Sequence, residues 1–155
     1  MNHWLREALA EMTQEHCAFC DSFPVEPDSV EHFRPKSDVR FLHLAYEWSN
    51  LYFCCGGCQK AKREQWDDRL LQPDAIDFQF ERYFEFDFTC GQLKASSLGA
   101  AADKERADVT IATYQLDSQN RRRWRRLALR RWQNDRVPEI DLYPYRDYLQ
   151  SGPQN

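Results

Sequence analysis

The stretch CCGGC, residues 54–58, closes a pattern that CAFC opens at residues 17–20. Each holds a Cys-x-x-Cys pair, Cys17 with Cys20 and Cys55 with Cys58. Such a pair offers two thiolates from one tight turn, and two pairs complete the four soft ligands of a tetrahedral zinc site. Gly56 and Gly57 suit the second turn, since glycine accepts backbone angles that other residues resist. The spacing predicts structural Zn2+ on Cys17, Cys20, Cys55 and Cys58. The alternatives are a redox Cys-x-x-Cys and unrelated buried cysteines. Cys54 and Cys90 remain over and read as small buried hydrophobes. Four cysteine ligands leave zinc no open position, so its expected role is to staple distant segments of a chain with a modest core.

The stapled segments bracket VEHFRPKS, residues 30–37. One histidine, His32, sits there beside an acid, Glu31, with Arg34 and Lys36 close behind. A histidine can take a proton from water near neutral pH. A carboxylate can hold a hard divalent cation, which wants oxygen ligands. Taken alone, His32 also reads as a satisfied structural histidine. His43, in FLHLAYEW, reads as packing, and His16 lies beside a cysteine set that is already full.

VEHFRPKS followed by YEWSNLYFCCGGCQKAK (46–62) resembles the HNH nuclease motif with a four-cysteine zinc frame. The match runs over about residues 17–62 through Glu31, His32, Pro35, Asn50, Leu51, Cys55, Cys58, Gln59 and Lys62. The resemblance implies a zinc-stapled ββα-metal core, treble-clef-like, and a metal-dependent endonuclease. It implies His32 as general base, Glu31 as ligand of a catalytic Mg2+ or other divalent cation, and Asn50 as the residue that steadies the loop and the His ring. Gln59 stands where the family usually has Asn or His as second metal ligand, which is a departure. The later residues are similar in layout to the HNH subunit of Septu-type anti-phage systems. That similarity implies a defence role beside an ABC- or SMC-type ATPase.

The net charge of −4 argues against nucleic acid, but its distribution argues for it. Residues 118–136 hold eight arginines and one aspartate, a local +7, so the remainder carries −11. Arg121, Arg125 and either Arg122 or Arg126 share neighbouring helical faces, and Arg121, Arg122 and Arg125 are candidates for phosphate contact, as are Arg34, Lys36 and Lys62. The expected substrate is nucleic acid, double-stranded DNA ahead of RNA. The other readings of the arginine run are a solvated helix face and a docking surface for an acidic partner.

Periodicity supplies the rest. Helices are expected over 2–13 and 58–66, strands over 29–33 and 50–54, and a surface loop over 34–48. Pro24 and Pro27 break residues 14–28. Residues 80–95 read as a hairpin turning at Gly91, with Phe84, Phe86 and Phe88 on one face and Glu85 and Asp87 on the other. Helices follow near 100–114 and 118–133, the second capped by Asp117 or Ser118. The expected class is α+β, a single domain over 1–137 with a loosely packed tail from 138 to 155. No apolar run is long enough to span a bilayer, and MNHWLREALAEM lacks the apolar core of a secretory signal. A cytoplasmic protein without membrane contact is expected.

Overall fold

The computed structural model describes residues 3–25, 30–136 and 138–153. The fold is α+β, with strands confined to two separate antiparallel pairs. After helix α1 (His3–Met12), β1 (Val30–His32) pairs with β2 (Leu51–Phe53), and Val30, Glu31 and His32 face Phe53, Tyr52 and Leu51. The expected strand start at Ser29 and the expected breaker Pro27 lie outside the described residues. All three β2 residues are buried, as their apolar side chains require. Ala18 donates its backbone N–H to the Phe53 carbonyl at 2.9 Å, which lays the first cysteine turn against β2. The connection from β1 to β2 is held by two short 3-10 turns, Val39–Leu44 and Trp48–Asn50.

Helix α2 (Gly56–Lys62) starts two residues before the expected position because Cys55 caps it, its sulfur accepting from the Cys58 N–H at 3.4 Å. It ends at Lys62, not residue 66, because Arg63 takes φ +52°, which a right-handed helix cannot continue.

The Phe-rich segment opens with one helical turn, α3 (Phe80–Tyr83), before β3 (Phe84–Asp87) and β4 (Gln92–Ala95) form the hairpin. Glu85 and Lys94 are directly opposed and ion-paired at 2.9 Å, on the outward face. Gly91 has φ +75°, and a Cβ there would lie 2.6 Å from the Arg122 carbonyl, so the turn admits no side chain.

Helix α4 (Ala101–Tyr114) packs on β4 and α2 and buries Ala107, Thr110 and Tyr114. Tyr114 stacks on Phe19 at 4.2 Å, which joins α4 to the first cysteine turn. Helix α5 (Gln119–Asn134) is capped by Ser118, whose hydroxyl accepts from the Arg121 N–H at 3.4 Å. Asp117 instead accepts from the Leu93 N–H at 2.8 Å and pins the hairpin.

The segment after residue 138 is packed, not loose. Helix α6 (Arg146–Ser151) buries Tyr148 and Leu149 completely, in a second apolar cluster with Ala128, Leu129 and Tyr145. Arg146 bonds Asp21 at 2.7 Å and Asp141 at 3.1 Å. His16, fully buried, sets one ring nitrogen 2.7 Å from the Gln14 carbonyl and the other 2.9 Å from that of Tyr143. Its role is to dock this segment. Among the described residues no helix is long and apolar enough to cross a membrane.

Candidate metal centre and the His32 site

Two turns far apart in sequence bring Cys17, Cys20, Cys55 and Cys58 together, with all four sulfurs within 4.8 Å of one another. Four thiolates on a tetrahedral zinc would stand about 3.8 Å apart, given Zn–S bonds near 2.3 Å. Cys20 and Cys55 are 3.6 Å apart. The Cys55 N–H donates to the Cys17 sulfur at 3.3 Å, as the Cys58 N–H does to Cys55. Backbone N–H groups aimed at sulfur stabilise the thiolate, the form that binds metal. Burial pushes the Cys17 thiol up, but hydrogen bonds from the other cysteines outweigh it and hold this thiol well below its ordinary value. Arg121 adds a cation, donating to the Cys58 sulfur at 3.1 Å. The cluster is therefore positioned to bind a metal ion, and its donors, spacing and charge are compatible with zinc. All six cysteines are free of disulfides, so the cluster is not a pair of bridges. Cys54 is fully buried, as a small hydrophobe would be, and Cys90 is half-buried.

His32 ends β1 half-buried, with its Nε2 3.0 Å from the Ala45 carbonyl. A carbonyl only accepts, so Nε2 carries the proton and Nδ1 keeps its lone pair. Burial is the main cause that lowers the His32 pKa below its ordinary value, and Lys36 and Lys62 lower it further. The Ala45 carbonyl and Glu64 act against them. The ring is thus neutral at pH 7, as a base must be.

Asn50 is 2% exposed and uses its whole amide. Its Oδ1 accepts from the Arg34 N–H at 2.8 Å, and its Nδ2 donates to the carbonyls of Arg34 at 3.0 Å and Leu44 at 3.1 Å. It locks the loop whose next residue, Ala45, holds the imidazole. It steadies His32 through that loop and makes no bond to the ring itself. Arg34 lies over the Trp66 ring at 5.2 Å, and Trp66 meets Phe33 and Phe41 edge-on at 5.3 and 5.2 Å. Lys36 is exposed beside this loop. His43 is exposed too, not packed.

Lys62 departs most from expectation. It is fully buried, and its ammonium donates to Glu31 at 2.7 Å, to the His32 carbonyl at 2.8 Å and to the Arg63 carbonyl at 3.4 Å. All three protons are used, so it offers no phosphate contact. Glu31 is 5% exposed, and burial raises its pKa while Lys62 works against that rise. Gln59 turns its amide nitrogen to the Val30 carbonyl at 3.1 Å and so ties α2 to β1. The residue that sequence reading missed is Glu64, which accepts from the Ser37 hydroxyl and acts electrostatically on both Glu31 and His32. It follows the end of α2 in no recognisable spacing, so no sequence signal marks it.

The arginines are likewise reassigned. Besides Arg121 on Cys58, Arg122 pairs with Asp117. Arg125 is 3% exposed and donates to the carbonyls of Gly91, at 2.7 Å, and Leu116. These three, expected to face phosphate, brace the metal cluster and the hairpin because they point into the fold.

Outside the cysteines, no three His, Cys, Asp or Glu side chains converge on one point among the described residues. A second, hard cation therefore meets no complete protein cage. Magnesium seldom needs one, since one or two carboxylates with water and substrate phosphate suffice. Glu31 gives one oxygen to Lys62, and Gln59 gives its amide nitrogen, not its amide oxygen, to Val30. No protein-family model matches this chain, and no curated protein matches it.

Proposed function

We propose that the chain is a nucleic-acid endonuclease of the HNH type, with His32 as general base on a ββα-metal core stapled by zinc. The observation that carries this reading is the His32 ring itself. Its Nε2–H is fixed on the Ala45 carbonyl, so Nδ1 is left to accept a proton, next in sequence to the buried carboxylate of Glu31.

In this reading Cys17, Cys20, Cys55 and Cys58 hold zinc, which only cross-links. Arg34 and Lys36 orient the phosphate at the loop. Nδ1 of His32 takes a proton from water, and the water oxygen attacks phosphorus while the sugar oxygen leaves. The Ala45 carbonyl stabilises the imidazolium that forms. Asn50 keeps that carbonyl in place. Glu31 would hold a divalent cation together with the substrate, and that cation would supply charge stabilisation at the leaving oxygen. The wider similarity to Septu-type systems extends the proposal to anti-phage defence with an ATPase partner.

A second reading has one observation in its favour. Lys62 already neutralises Glu31, and Gln59 faces Val30, which suits a module that binds nucleic acid and does not cut it. Nicking of supercoiled plasmid with magnesium or manganese decides between them. The nuclease reading expects wild-type protein to cut and His32→Ala, at equal zinc content, to be slowed at least a hundredfold. A wild type that binds plasmid and leaves it intact would establish the second reading.

A further inference from the structure

The arginines of α5 divide cleanly. Arg121, Arg122 and Arg125 turn inward, as described above. Arg123, Arg126, Arg130 and Arg131 are exposed, and none of their side chains forms an ion pair or hydrogen bond with a described group. Several exposed arginines elsewhere meet acids, as Arg40 meets Asp38, Arg69 meets Asp67 and Arg82 meets Asp103, whereas Arg63 bonds the Lys60 carbonyl. In a chain with 25 acidic residues, four neighbouring guanidinium groups that pair with no acid stand out, the more so since Asp135 lines the same hollow as Arg130 and Arg131.

Their order is regular. Arg123, Arg126 and Arg130 are three, four and seven residues apart, so they form one row along the outer face, about 10 Å long. Arg131 and Trp124 flank the row, and Trp124 is 53% exposed. The opposite face buries Arg125, Ala128 and Leu129. Arg121 binds Cys58, and Arg125 binds the hairpin turn, so the row is held rigidly to the frame that carries His32.

We propose that this outer face of α5 is a phosphate-backbone track, a second nucleic-acid contact separate from the His32 loop. The inference deepens the nuclease reading by naming where substrate is held away from the cut. Charge alone would also suit an acidic protein. The single row of bidentate forks and the exposed indole beside it favour a polyanion with regular phosphates and stacking bases. Because the whole chain is acidic, net charge gives no general attraction, and binding must come from a local feature of this kind.

The test is equilibrium binding of a fluorescein-labelled 30-base-pair duplex across a salt series, with the His32→Ala protein and no added divalent metal. The variant Arg123→Gln/Arg126→Gln/Arg130→Gln should weaken binding at least tenfold and lower the slope of log K against log salt by about 2–3. Arg40→Gln/Lys94→Gln/Lys104→Gln removes as many charges elsewhere and should change neither. Equal loss in both variants, or no loss in the first, would overturn the proposal. So would stronger competition by polyglutamate than by unlabelled duplex, which would make the face a protein-docking surface. Because the readout is binding, it is independent of cutting. A plasmid left intact with stripe-dependent binding preserved removes the nuclease reading alone. His32-dependent nicking with stripe-independent binding removes this inference alone.

Discussion

The two ends of α2 are fastened by opposite chemistry. At its start, Cys55 and Cys58 join Cys17 and Cys20 in a cluster built for a soft metal. At its end, Lys62 reaches into β1 and forms a fully buried ion pair with Glu31. The cluster ties the start of α2 to the first cysteine turn, which lies against β2, and the ion pair ties its end to β1, the strand that carries His32. A metal held at the first end would cross-link the two cysteine turns, and taking it away would release them. The ion-pair end gains little over apolar packing but is costly to break on one side, since the remaining charge is stranded. One end is thus placed to staple distant turns, and the other fixes the position of Glu31 on β1.

The largest expected effect is at the metal end. Cys58→Ser should lose the bound metal and the cooperative thermal transition together, read by metal content and circular dichroism. A variant that keeps its melting curve without metal would show that the cluster is not a staple. At the other end, Lys62→Met should cost about 3–5 kcal/mol in urea unfolding, and Glu31→Gln/Lys62→Met should regain most of it. A double variant as unstable as the single one would mean that the pair stabilises by itself and the contrast fails. Asn50→Ala removes three hydrogen bonds from the loop and should cost about 1–3 kcal/mol. It should slow cutting more than it affects duplex binding; equal losses in both would place Asn50 in substrate contact.

The smallest effect concerns pH. The His32 pKa lies below its ordinary 6.5, so the neutral base persists as pH falls to that value. The acid limb of the cutting rate should then lie below pH 6.5. Lys36→Gln removes one cause of the lowering and should move that limb upward. A limb above 6.5 in the wild type would mean that another group is titrating.

The same contrast explains what could be read in the sequence. Cysteine pairs announce themselves because metal geometry demands two ligands per turn, so the cluster is legible from spacing alone. The strand, loop, strand, helix order around Glu31 and His32 was legible from the periodicity of its apolar residues. The Lys62–Glu31 pair was not, since a lysine on a polar helix looks like any surface lysine, and only the packing of α2 on β1 buries it. The arginine run shows this most sharply. Composition predicted a basic surface, yet which arginines face outward depends on how α5 rolls against the hairpin and the cluster. Arg121, Arg122 and Arg125 rolled inward, and Arg123, Arg126 and Arg130 rolled outward. The tail from residue 138 looked loose because its prolines and polar groups hide Tyr148 and Leu149, two residues that fill a second core.

Chemical rescue tests the central claim most directly, that His32 is the base. Plasmid nicking by His32→Gly, matched to wild type in metal content, would be followed as imidazole is added. The account predicts no cutting without imidazole and a rate that rises with its concentration above the pKa of the free base. Cutting by the variant at the wild-type rate without imidazole would contradict it, as would a wild type that cuts no plasmid.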